Sequence, residues 1–143
     1  MKNLQKKGYA LLCALICTFF SSFVYSQQTL TQINGWNAYV HLPASYGTTT
    51  TNYPTILFFP GLGEVGTNAA ALISNGPGAY IAQGWNGNVQ IDGNTVEFIV
   101  ISIQPPSAYP GETVINDKIQ KIKSLYRVDN NRLYLTGLSH GGW

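Results

Sequence analysis

Residues 132–136 form a short apolar run, Leu133-Tyr134-Leu135 at its centre, that leads without a break into Gly137-Leu138-Ser139-His140-Gly141. A strand that runs straight into G-x-S-x-G predicts a tight strand-to-helix turn with the serine at its apex. Glycine is expected at 137 and 141 because a side chain at either position would collide with neighbouring backbone, and the strained turn then lifts the Ser139 hydroxyl clear of the sheet. Taken alone, G-x-S-x-G also occurs by chance in many proteins, where a serine in a glycine-rich turn is more often structural; the apolar strand directly before it is what gives the motif weight here. The chain continues only to Trp143.

Upstream, the alternation of elements points to a parallel arrangement. Residues 36–42 alternate large with small or polar side chains, the period of a strand with one exposed face, and Pro43 ends it. Residues 55–59 (Thr-Ile-Leu-Phe-Phe) and 98–103 (Phe-Ile-Val-Ile-Ser-Ile) are apolar throughout, as strands covered on both faces are. Between them lie a glycine-rich loop at 60–66, a helix at 68–74 capped by Thr67 or Asn68, a helical piece at 79–83, and a small hairpin around Asp92-Gly93-Asn94. In 112–126, Ile115, Ile119, Ile122 and Tyr126 fall on one helical face, which places Lys118, Lys121 and Lys123 outside. Residues 126–131, with Asp129 as a turn former, return the chain to the last strand. Residues 27–34, polar and rich in Thr and Gln, read as a poorly ordered lead-in, and 47–52 as a polar turn. The expected class is α/β, a mostly parallel sheet flanked by helices with right-handed crossovers.

The first 26 residues read differently. Lys2, Lys6 and Lys7 precede an apolar run at 9–24, followed by Val24-Tyr25-Ser26. This is the composition of a secretory signal peptide cleaved after Ser26; the run falls short of the roughly 20 residues that cross a bilayer. A secreted or periplasmic location is expected, with no membrane attachment after cleavage. Both cysteines, Cys13 and Cys17, lie in this leader, so residues 27–143 have no thiol for a disulfide or a metal site. Three of the eight Lys and Arg residues also leave with it, so five face six acidic residues and the remaining formal charge is −1. With no basic cluster, nucleic acid is not an expected partner. No metal or organic cofactor is implied.

Hydrolysis by serine needs a nucleophile, a base to take its proton, and fixed N–H donors for the tetrahedral oxyanion. Ser139 is the candidate nucleophile. The His140 N–H is one candidate donor, and the Leu62 N–H, in the loop after an earlier central strand, is the second. Neither histidine suits the role of base: His140 adjoins the serine and points its ring elsewhere, and His41 lies on an early strand. Glu64 reads as a loop carboxylate bonding backbone N–H groups. The scattered tryptophans and tyrosines read as packing residues.

Residues 57–66, 101–105 and 126–142 together resemble the esterase, phospholipase and carboxylesterase group of the α/β-hydrolases. They are also similar to the group's secreted relatives, the predicted peptidases and polyhydroxybutyrate-depolymerase-like esterases. The similarity extends over 36–143. Two departures stand out: Pro60-Gly61 where these enzymes usually carry His-Gly, and His140 where methionine is common. The resemblance implies an α/β-hydrolase fold, an acyl-enzyme on Ser139, an ester substrate that is small or borne on a polymer, and a triad acid and histidine that follow the serine in chain order. On that reading 27–143 is the N-terminal half of a hydrolase domain, truncated just after the elbow. A serine peptidase of the same fold and a non-catalytic module that keeps half of the fold for binding are the alternatives.

Overall fold

The computed structural model describes residues 28–143; the leader expected at 1–26 lies outside the described residues. Among the described residues seven strands form: β1 (Gln28–Ile33), β2 (Trp36–His41), β3 (Tyr53–Phe59), β4 (Asn88–Ile91), β5 (Asn94–Glu97), β6 (Ile99–Gln104) and β7 (Val128–Gly137). Two α-helices accompany them there, α1 (Gly76–Ala82) and α2 (Glu112–Leu125). The main sheet has the order β1-β2-β6-β3-β7, and β4 and β5 pair with each other as a separate ribbon.

The class is α/β with a mixed sheet. β6, β3 and β7 are parallel, whereas β1–β2 and β2–β6 are antiparallel, so the expectation of a mostly parallel sheet is corrected at this edge. The expectation of a loose lead-in at 27–34 is also wrong. Asn34 (φ 45°) and Gly35 (φ 81°) make a two-residue turn with both positions left-handed, the geometry that matches strand twist in a hairpin. Ile33 then pairs with Trp36 and is fully buried. Polar residues at 28, 29, 31 and 32 belong to an edge strand with one wet face.

The parallel strands divide their side chains between two layers. Leu57, Phe59, Ile99, Ile101 and Ile103 join one core with Ile122 of α2, Trp36 and Val40. Val100 and Phe98 join a second core with Ile81 of α1 and half-buried Ile56. Successive strand residues point to opposite faces, so β3 and β6 are apolar at most positions, with Thr55, Ser102 and Gln104 as buried polar members, and α1 and α2 cover opposite sides. β3 feeds α1 on one face, and β6 feeds α2 on the other. Adjoining strand ends thus send their chains apart, which opens a crevice at the carboxyl ends of the parallel strands.

Other elements adjust the sequence reading. The stretch expected as a helix at 68–74 is a 3₁₀ turn (Ala69–Ile73) whose N-terminal residue Asn68 accepts the Ala70 N–H at 3.2 Å. α1 starts at Gly76, with Pro77 in its first turn where the missing N–H costs nothing. β7 begins at Val128, and its register against β3 jumps from Tyr53–Val128 to Thr55–Leu133. Asp129 shapes this irregularity by accepting the Asn131 N–H at 2.9 Å and pairing with Arg132 at 2.6 Å; the Arg132 bond, then the Asn131 bond, holds its carboxyl below the usual range. Beyond it, β7 pairs with β3 alone among the described residues, and Tyr134 and Leu135 are about half exposed.

Lys118 is not outside. It is buried, its ammonium donates to the Asn34 carbonyl at 3.1 Å and to Asp117 at 3.2 Å, and it lies 5.0 Å from the Trp36 ring centroid. The apolar stem crosses the helix-facing core and the charged head locks the β1–β2 turn. Lys118→Met keeps the stem and removes a charged hydrogen bond, and should lower unfolding free energy by about 2 kcal/mol. Lys123→Met should change it by less than about 0.5 kcal/mol. Urea midpoints test this, and equal midpoints for the two variants would refute it.

Candidate functional site

β7 ends at Gly137, in register with Phe59 at the end of β3. Leu138 is extended, and its N–H donates to the Phe59 carbonyl at 3.1 Å. Ser139 then turns left-handed, with φ 49°, and opens a 3₁₀ turn over Ser139–Gly142 closed by the Gly141 N–H on the Leu138 carbonyl at 2.9 Å. A non-glycine residue in this region carries a strain of about 1–3 kcal/mol and persists where its surroundings over-determine it.

Those surroundings are backbone. A Cβ at Gly137 would lie 2.1 Å from the Gly141 carbonyl oxygen, and a Cβ at Gly141 would lie 2.2 Å from the Phe59 oxygen and 2.5 Å from the Pro60 oxygen. The turn after β7 is therefore seated directly on the end of β3, with no side chain between them. Ser139 is exposed, and its hydroxyl has no hydrogen-bond partner among the described residues.

The loop after β3 borders the same turn. The position of a Cβ at Gly61 is 3.6 Å from the Leu138 carbonyl oxygen. Leu62 starts a short 3₁₀ turn, Leu62–Glu64, whose bonds are Glu64 N–H to Gly61 at 3.1 Å and Val65 N–H to Leu62 at 3.4 Å. First residues of such turns leave their N–H groups without an internal acceptor. The Leu62 and His140 N–H groups each begin or nearly begin a turn, and neither has a hydrogen-bond acceptor among the described residues. Ser139, His140 and Leu62 thus come from two adjoining loops at the carboxyl end of the sheet.

Neither histidine faces the serine. The Nε2 of His140 accepts the Tyr109 N–H at 3.2 Å, and the two rings meet edge to face at 4.1 Å. That bond occupies the Nε2 lone pair. His41 is buried, with Nε2 3.1 Å from the Asn86 carbonyl. Glu64 departs from its expected role: its carboxylate accepts from the Asn75 side-chain amide at 2.5 Å, not from backbone N–H groups. No group of three or more His, Cys, Asp or Glu residues suited to a metal ion occurs among the described residues.

A cavity of about 590 Å³ lies on the α2 face of the sheet, lined by Phe59, Tyr109, Ile115, Leu135, His140 and Trp143 among others. Ser139 and Leu62 do not line it. It lies against β7 at Leu135 and Thr136 and shares Gly137, His140 and Gly141 with the turn.

Two residues near the site were not singled out by sequence. Gln104, at the end of β6, donates from Nε2 to the Glu64 carbonyl at 2.7 Å and the Asn68 carbonyl at 2.9 Å. Asn37 of β2 donates to Gln104 Oε1 at 3.0 Å and to the Thr67 carbonyl at 3.1 Å. A Gln closing an apolar strand just before two prolines was the available signal, since a buried amide must find partners.

No family model and no curated protein matches this chain. Among solved structures it is similar to one described as the crystal structure of a thermostable esterase, with a TM-score of 0.49 and 19% identity, over 80% of this chain and 34% of that one. The chain spans about a third of that structure's length.

Gly141→Ala should destabilise the protein by about 3 kcal/mol or abolish soluble expression, because the backbone of β3 cannot yield to a methyl group. Gly63→Ala, with nothing within 4 Å of its Cβ position, should stay within about 0.5 kcal/mol of the parent. Thermal melts of the pair decide, and a tolerated alanine at 141 would show that the two loops are not in backbone contact.

Proposed function

We propose that this protein is a secreted serine hydrolase that cleaves carboxylic esters through an acyl-enzyme on Ser139. The observation that carries the reading is the left-handed Ser139 at the end of β7, exposed on a turn of glycines that rests against the end of β3. Left-handed backbone at a non-glycine residue is strain retained for a reason, and a serine so placed presents its oxygen away from the sheet.

In the proposed reaction the Ser139 oxygen attacks the ester carbonyl carbon and gives up its proton to a base. The carbonyl oxygen becomes an oxyanion, for which the unbonded N–H groups of His140 and Leu62 are the donors. Collapse expels the alcohol, which takes the proton from the base, and leaves the acyl group on Ser139; water then repeats the sequence and releases the acid. With Nε2 of His140 held by Tyr109 and His41 buried against Asn86, the base is a group outside residues 28–143. The leader-like residues 1–26 support secretion or a periplasmic location. No helix among the described residues is long and apolar enough to cross a membrane.

The test uses the complete gene product, with any residues that follow Trp143, assayed on p-nitrophenyl acetate and butyrate. Ser139→Ala should lower kcat at least about 10³-fold, and a fluorophosphonate should label Ser139 in the parent, read by peptide mass spectrometry. Residues 27–143 alone should show no serine-dependent turnover, because the base is lacking. Full activity in Ser139→Ala would overturn the assignment, and serine-dependent cleavage by 27–143 alone would overturn the placement of the base.

A further inference from the structure

We propose that Gln104 is a positioning residue for the Leu62 N–H donor; this rests on the hydrolase reading above and deepens it. Gln104 is 1% exposed. A carboxamide has two N–H donors and one oxygen acceptor, and all three functions are used. Both donors go to the loop after β3, at the carbonyls of Glu64 (2.7 Å) and Asn68 (2.9 Å), and the oxygen accepts from Asn37 (3.0 Å). Asn37 in turn holds the Thr67 carbonyl at 3.1 Å, and the Gly66 N–H donates to the Pro105 carbonyl at 2.9 Å. Residues 64, 66, 67 and 68 are therefore all tied to the ends of β6 and β2.

That attachment sets Leu62. The turn Leu62–Glu64 is three residues long, and its last member is the one that Gln104 grips. At the head of the loop stands Pro60, which has no N–H to donate and no imidazole. The head meets the turn after β7 through backbone contact, and the hydrogen bonds that tie the loop to the rest of the sheet lie at its tail. An oxyanion donor acts only when it is preorganised at the distance the developing charge will occupy, so a loop free to shift by a few tenths of an ångström would bind ester but stabilise its transition state poorly.

The experiment compares Gln104→Met, which keeps length and removes every polar bond, with Asn37→Ala, which removes the donor behind it, in the complete gene product. Gln104→Met should lower kcat about 30-fold with KM within about 3-fold of the parent, and Asn37→Ala should lower kcat about 5-fold with the same selectivity. The inhibition constant for phenylboronic acid, which forms a tetrahedral adduct with the serine, should rise in parallel with the kcat loss. That for the product acid should not. Should Gln104→Met fail to fold, Asn37→Ala decides by the same readouts. Unchanged kcat in a folded variant, or equal losses in product and boronate affinity, would overturn the proposal while leaving Ser139-dependent turnover in the parent intact. A parent that hydrolyses esters no better than Ser139→Ala overturns both readings.

Discussion

The whole site depends on one contact between main chains. The turn after β7 lies on the end of β3 so closely that the Cβ position of Gly141 falls 2.2 Å from the Phe59 oxygen. The last rung of the β3–β7 ladder, Phe59 beside Gly137, and the bond from Leu138 N–H to Phe59 fix the height of that turn relative to the strand. Once the height is fixed, the chain has few ways to leave the sheet, and Ser139 takes the left-handed one. The strain there, about 1–3 kcal/mol, is small beside what the parallel ladder and the fully buried Leu57, Ile99 and Ile101 supply on the α2 face. A rigid sheet can therefore hold a serine in a conformation that an isolated loop would abandon.

The same sheet explains why polar residues gather at its carboxyl end. β6 presents Ile99, Ile101 and Ile103 to the α2 side and Val100, Ser102 and Gln104 to the other. On that second face the covering helix gives way, at the strand's end, to the loop that follows β3. A loop offers carbonyls rather than methyl groups, and the buried side chain that meets them must donate. Glutamine at 104 meets that demand with two N–H groups, where the strand's own pattern would otherwise place another aliphatic residue.

Much of this was legible from residues alone. Continuous apolar runs gave β3 and β6, the periodic isoleucines gave α2 to within one residue of its observed end, and Asp92-Gly93 gave the β4–β5 turn, with φ of 49° and 77°. At two places composition points one way and turn chemistry or side-chain anatomy the other. Gln28–Ile33 is polar enough to read as loose, yet Asn34-Gly35 is a strong hairpin signal. Lys118 carries a charge that argues for solvent, yet its stem is apolar and its head finds the Asn34 carbonyl. Gln104 carries a signal as a polar residue closing an apolar strand, but its partners at 37, 64 and 68 are distant in sequence and meet only when β2, β6 and the loop after β3 converge.

His140 shows how the turn separates functions on consecutive residues. A left-handed residue reverses the direction in which the chain presents its neighbours, so the residue after Ser139 sends its ring to the far side of the turn, toward Tyr109 and the cavity on the α2 face. Its Nε2 lone pair is occupied by the Tyr109 N–H, which removes the acceptor that would serve as a base and leaves the ring anchoring the loop after β6. The backbone N–H of the same residue has no acceptor among the described residues, as expected at the start of a helical turn. The imidazole beside the serine thus has a structural use, and in the proposed reaction the N–H beside it takes the chemical one, with proton transfer to or from Ser139 coming from the side of the turn where that residue is exposed.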